Sequence, residues 1–208
     1  LLSTFNMTLL LENVEQLPVE FGDSCSVASN ACIERADYMQ SISLDPGTGG
    51  LTLVYQRCCR TPAILNLNAP EDLGMTLVAN IPGADQTEEA NSSPSFNTPA
   101  AAAICYGGSW SLDFSAVDSD GDSLAYHLCP PLNGASPNNP APAPPLSPPY
   151  SDVIWAAGYS QEYPLGTTST FELDHLTGNI SVQLYQAGTY AVAVCVEEWR
   201  DGILLGSI

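Results

Sequence analysis

Lysine is missing from this chain altogether. Four arginines are its only fixed cations, set against 23 aspartates and glutamates, for a formal charge of −19 over 208 residues. A surface so short of positive charge argues against nucleic acid and anionic membranes as partners, because phosphate binding requires basic patches. Histidine is scarce as well. His127 and His175 stand far apart and no cysteines have CxxC spacing, which argues against a zinc or iron–sulfur site. No apolar run reaches the roughly 18 residues of a membrane-spanning helix. The chain starts at Leu1 with no charged-then-apolar leader, so it reads as a mature or excised segment.

What is present points to a folded, all-β, exported protein. Only 13% of residues are charged and 45% are apolar, a balance that speaks against disorder. Strand-prone residues punctuated by 16 glycines and 17 prolines read as short strands and turns. Seven cysteines are many for a cytosolic chain of this size, and disulfides in an oxidising, extracellular setting are the better reading.

Strands are expected at Phe5–Glu12, Tyr38–Leu44, Leu51–Arg57 and Met75–Ile81, with a hairpin connection over Leu44–Leu51. Asp85–Ala90 is polar and without periodicity, and is read as the end of a first unit. A second unit follows, with strands at Trp110–Val117, Ser123–Cys129, Ser169–Leu173, Ile180–Leu184, Thr189–Glu197 and Ile203–Ile208. Asp174–Asn179 is a tight turn with Gly178 placed for positive φ. The expectation is therefore two tandem Ig-like or cadherin-like β-sandwich domains, 1–90 and 91–208. Pro130–Tyr150 is too rich in proline to join a ladder and reads as a long, stiff loop. Val27–Arg35 is the nearest approach to a helix.

The cysteines sort by unit. Cys58 and Cys59 would point to opposite faces of one strand, so each is expected to reach Cys25 or Cys32, with the pairing open. In sandwiches of this kind the strands bearing Cys129 and Cys195 are often neighbours, which favours that bridge and leaves Cys105 over.

The chemistry concentrates at Asp118-Ser119-Asp120-Gly121-Asp122-Ser123. Three carboxylates at alternate positions around one glycine repel one another, and a divalent cation removes that repulsion. Ca²⁺ suits the turn because it accepts six to eight carboxylate and carbonyl oxygens in loose geometry. The turn is not an EF-hand, which needs glycine sixth and a carboxylate twelfth, where this chain has Gly121 fourth and Cys129 twelfth. A solvated turn, in which Asp and Gly serve only backbone geometry, is the plainer alternative.

Val54-Tyr55-Gln56-Arg57-Cys58-Cys59-Arg60, Asn91–Phe96, the stretch Phe114–Leu124 with its acidic turn, Val153–Gly158 and Val194–Gly202 together resemble large secreted surface proteins of gliding bacteria, the gliding-motility-associated proteins with cadherin-like or PKD-like modules. That resemblance implies tandem β-sandwiches in long adhesive or structural proteins at the cell surface, with neighbouring modules or further copies as partners. Its pattern starts one strand earlier and runs one strand later than this chain, which implies edges completed by adjoining modules. It also implies ions shared between an Asn-bearing linker and an acidic turn. The ligands expected are Asp118, Asp120 and Asp122, with Asn91 from the linker and Glu198 from a strand end, so that calcium stiffens an inter-domain hinge.

Catalysis is not expected. Gly107-Gly108-Ser109-Trp110-Ser111 lacks the Gly-x-Ser-x-Gly elbow, and adjacent pairs such as Glu88-Glu89 and Glu197-Glu198 arise readily among 23 acids. The rival reading is a carbohydrate-binding module pair of a secreted enzyme, with Trp155, Trp110 and Trp199 as stacking platforms for surface glycans. Against it, alternation puts many of these rings on core faces. Arg57 and Arg60 are expected to pair with acids or cap carbonyls, and Asn6, Asn91 and Asn179 lie in glycosylation sequons.

Overall fold

Alternation of side chains decides most of the elements. The computed structural model describes residues 7–17, 33–43, 47, 49–87, 89–97, 104 and 107–208. Its strands are β1 (Leu10–Leu17), β2 (Ile33–Met39), β3 (Leu51–Arg57), β4 (Met75–Ile81), β5 (Ser95–Phe96) and β6 (Ser109–Asp113). They continue as β7 (Ala116–Val117), β8 (Ser123–Leu128), β9 (Thr170–Leu173), β10 (Asn179–Gln183), β11 (Val194–Arg200) and β12 (Ile203–Ser207). Among the described residues the only helical element is a 3₁₀ turn at Pro70–Asp72, so the protein is all-β. β10 shows the rule at its clearest: Ile180 and Val182 are buried while Asn179 and Ser181 between them face out.

The chain parts into two compact units, Leu1–Asp45 with Ala101–Cys105, and Pro46–Ala100 with Tyr106–Ile208. In the first, β1 and β2 pair antiparallel from Leu10↔Met39 to Leu17↔Ile33, with a register shift between Leu11 and Asn13. Arg35 donates to Asp37, two residues along the same strand, at 2.8 Å on the exposed surface. The second unit holds a five-stranded sheet in the order β3-β4-β12-β11-β8, a three-stranded sheet β6-β10-β9 and the short pair β5-β7.

This topology departs from two expectations. Among the described residues β2 pairs with β1 and β3 with β4, and no ladder joins β2 to β3 as the expected hairpin would. The boundary expected at residue 90 falls inside the second unit, because β4 pairs with β12 through Asn80↔Ser207. The polar stretch around Asp85–Ala90 lies between β4 of the five-stranded sheet and β5 of the short pair, within one unit rather than between two. Strand alternation is visible locally, whereas the partner of a strand is not. In the Val27–Arg35 stretch, residues 33–35 are strand and the rest lies outside the described residues.

Two disulfides are described. Cys129, just past β8, bonds Cys195 on β11 with Cα atoms 5.9 Å apart. Cys58 bonds its neighbour Cys59, which corrects the expectation that each reaches into the preceding loop. The ladder ends at Arg57, so neither cysteine is held to a strand's alternating faces. Cys25, Cys32 and Cys105 lie outside the described residues.

Buried polar side chains fix the long connections. Gln56 on β3 donates to Thr76 on β4 at 3.1 Å and accepts from the Leu146 amide at 2.7 Å. Thr76 donates in turn to the Asn133 carbonyl at 2.9 Å, and the Cys58 amide to the Pro140 carbonyl at 2.9 Å. The proline-rich loop is thus tied down along β3 rather than free. Arg60 caps the Gly74 and Leu132 carbonyls at 3.0 and 3.2 Å, as expected for one of the two scarce arginines. Burial lowers its pKa. Elsewhere Leu67, Leu73 and Val153 form a core cluster against Ile64, Trp155 and Ala191.

Candidate cation site

The acidic turn folds first around its own backbone. Asp118 Oδ1 accepts from the amides of Asp120 and Asp122 at 2.9 and 3.0 Å, and Gly121 takes the positive φ of 87° that closes the turn. One oxygen from each of Asp118, Asp120 and Asp122 falls within 4.8 Å of the others. To this extent the plainer reading of a self-satisfied turn describes the geometry.

Two further elements change its electrostatics. The first is Glu198 on β11, which sits opposite Leu124 and Gly206 and is only 1% exposed. Gly206 leaves room for it, since a Cβ there would lie 3.3 Å from Glu198 Oε2. Burial pushes the Glu198 carboxyl up to about 7, and the charges of Asp118 and Asp122 push the same way, while a hydrogen bond from Asn91 works against them. The second is Arg200, at the end of β11. Its Nε and Nη2 donate to the two oxygens of Asp122 at 2.7 and 2.6 Å, and Nη2 also reaches Asn91 Oδ1 at 3.0 Å. The guanidinium holds the Asp122 carboxyl below its usual range.

The structure therefore gathers Asp118, Asp120, Asp122, Asn91 and Glu198, all five residues expected as ligands, within one unit. The Ser92 amide donates to Asp120 Oδ2, which draws the Asn91 segment onto the turn. Arg200 was not anticipated as part of the site; its only sequence signal is that it is one of four cations. After these contacts two buried carboxylate oxygens, Asp118 Oδ2 and Glu198 Oε1, have no hydrogen-bond partner among the described residues. Four carboxylates against one guanidinium leave an uncompensated negative centre, and every free donor is a hard oxygen. That is a donor set hard divalent cations take.

The three tryptophans lie on separate elements. Trp110 lies on β6, Trp155 is bridged to Leu67 beside the core, and Trp199 on β11 donates to Glu197 at 3.2 Å. Each is half-buried, and none lines the cavity bounded by Tyr163, Leu165 and Phe171. His175 Nδ1 hydrogen-bonds the Tyr126 carbonyl at 2.8 Å, and His127 lies on β8 opposite Cys195.

No family model, no curated protein and no solved structure matches this chain. No helix among the described residues is long and apolar enough to cross a membrane.

A pH dependence follows from Glu198 in chelator. Its carboxyl is raised from the ordinary 4.5 to about 7 in the fold. The stability its protonated form contributes is complete below about 4.5 and is lost as pH rises through about 7. Melting in EDTA should therefore come at lower temperature at pH 8 than at pH 5, and Glu198→Gln should flatten that window. A wild-type melt indifferent to pH in this range would contradict the assignment.

Proposed function

We propose that this chain is a non-catalytic structural or adhesive module of an extracellular, cell-surface protein or fibre, held together by a divalent cation, calcium by the chemistry of its donors. The observation that carries the reading is the pair of buried, unpartnered oxygens on Asp118 and Glu198. Unpaired buried charge is costly, and ions that bind only the folded state remove that cost and stabilise it by mass action. Asp118, Asp120 and Glu198 would hold the ion, with Asn91 and Asp122 beside them. Bound there, the cation would supply positive charge and nothing else.

The expected hinge between two sandwiches is replaced in this proposal. The turn and the 89–92 segment share one unit, so the ion would lock the crossing from β4 to β5 onto β8 and β11. The disulfides are compatible with an oxidising compartment. Neighbouring modules, tandem sandwiches among them, and further copies of the chain remain the proposed partners. The half-buried tryptophans give no support to the glycan-binding rival.

Calcium at 2 mM, about 100-fold above a Kd of roughly 20 µM, should stabilise the fold by about 2.7 kcal/mol, which raises the melting temperature by several degrees. Asp118→Asn should remove about half of that increment or more. An identical melt in calcium and in EDTA would remove the cation from the account.

A further inference from the structure

We infer that Arg200 is the resident counter-ion of this cluster and divides its oxygen-bearing residues into two sets, one that the guanidinium keeps and one that it leaves to a metal. The inference rests on the cation reading for the second set only. Asp122 and Asn91 belong to the first. Both Asp122 oxygens accept from the guanidinium, at 2.7 and 2.6 Å, and Asn91 Oδ1 accepts from it at 3.0 Å. The pair is well shielded, with the side chain of Asp122 4% exposed and that of Arg200 19%. A bidentate arginine–carboxylate contact in such a place is strong and directional. A metal ligating through Asp122 or Asn91 would sit within ångströms of a guanidinium that already holds those oxygens.

Asp118 and Glu198 belong to the second set. Each has one buried oxygen without a hydrogen-bond partner among the described residues, and no contact of Arg200 with either is found among them. Asp120 stands between the sets: its Oδ2 takes the Ser92 amide and lies 3.9 Å from Arg200 Nη2. Its exposure leaves it able to add an oxygen from the solvent side. Arg200 then has two consequences. It lowers the negative charge that a cation meets, which sets a modest affinity. It also holds Thr87 and Ala90 beside the turn whether or not metal is bound, through Thr87 Oγ1 at 3.4 Å and the Ala90 carbonyl at 3.5 Å. Arg200 is thus a positioning residue, and the ligands proper are Asp118, Glu198 and Asp120.

The test has one arm with metal and one without. In the first, Ca²⁺ is titrated calorimetrically into the full chain, with Tb³⁺ luminescence as a second probe. Asp118→Asn and Glu198→Gln should each weaken binding roughly tenfold or more, because each removes a ligating charge, while Asp122→Asn should stay within about threefold. Equal losses from Asp122→Asn and Asp118→Asn would overturn the division while leaving a cation site in place. No binding of either ion to the wild type would overturn both the cation reading and the ligand set.

In the second arm, in EDTA, Arg200→Gln should raise amide exchange over residues 87–92 at least about tenfold, and Arg200→Lys should restore protection only in part because it lacks the fork. Unchanged exchange in Arg200→Gln would refute the positioning role regardless of what the metal does. The Asp118→Asn protein, which keeps the Arg200–Asp122 pair, reports whether any loss reflects general unfolding: its 87–92 amides should stay protected.

Discussion

Asn66→Leu should cost about 3 kcal/mol of folding stability, a large loss for an exchange of similar volume. Asn66 is fully buried, and its amide is completely used. Nδ2 donates to the Pro164 carbonyl at 2.8 Å and to the Ala191 carbonyl at 2.7 Å, and Oδ1 accepts from the Ala191 amide at 2.9 Å. Three segments far apart in sequence are tied by one side chain. Leucine would fill the space and leave three backbone groups unanswered, each costing on the order of 1 kcal/mol. In a unit of this size the melting temperature should fall by roughly 6–12 °C. Asn66→Asp should also be damaging, because its carboxylate cannot donate to either carbonyl. A melt within a degree of wild type for Asn66→Leu would show that water replaces the lost partners.

Gly134→Ala should be nearly as damaging, by close approach rather than lost hydrogen bonds. A Cβ at this position would fall on Thr76 Oγ1 and lie 2.8 Å from Gln56 Nε2. Both atoms are committed, Gln56 to Thr76 and to Leu146, and Thr76 to Asn133. Overpacking of this kind costs about 1–3 kcal/mol, and breaking the network adds about 1 kcal/mol per bond. Gln56 also holds the proline-rich loop, so the loop should come away from β3 before the fold is lost. Limited proteolysis should therefore cut Gly134→Ala between residues 135 and 150 at temperatures where wild type resists. Full resistance with a normal melt would mean that the neighbours yield without cost.

The sequence was most legible where structure is local. The bounds expected for Leu51–Arg57 and Met75–Ile81 agree with the structure, and the turn at Asp174–Asn179 closes with Gly178 at φ 73° as its composition demands. The Cys129–Cys195 bridge followed from which strands lie side by side. What was hidden is long-range. Nothing in Met75–Ile81 says that its neighbour is a strand more than a hundred residues later, so a crossing looked like a linker. Asn66 lies in Leu65-Asn66-Leu67-Asn68 with no mark to separate it from Asn68, although its partners stand 98 and 125 residues away.

The candidate site divides in the same manner. Asp118, Asp120 and Asp122 share one turn and could be read from their spacing. Glu198 was named from its place near a strand end, but its burial comes from the sheet around it. Arg200, 78 residues from Asp122, carries no local sign of its contact. Scarcity was the available clue: with four cations among 23 acids, a buried acid cluster has few side chains able to answer it.

The placing of β12 bears on how the second unit would carry load. It lies between β4 and β11, and the Ile208 amide and carbonyl both bond Val196. A tug on Ile208 along the strand axis would strain those bonds side by side, in shear, instead of peeling them one after another. On the other flank a single residue pair, Ser207 with Asn80, joins the strand to β4. Under tension the sheet would therefore part along that seam, leaving the β8-β11-β12 ribbon and its disulfide as the portion that continues to resist.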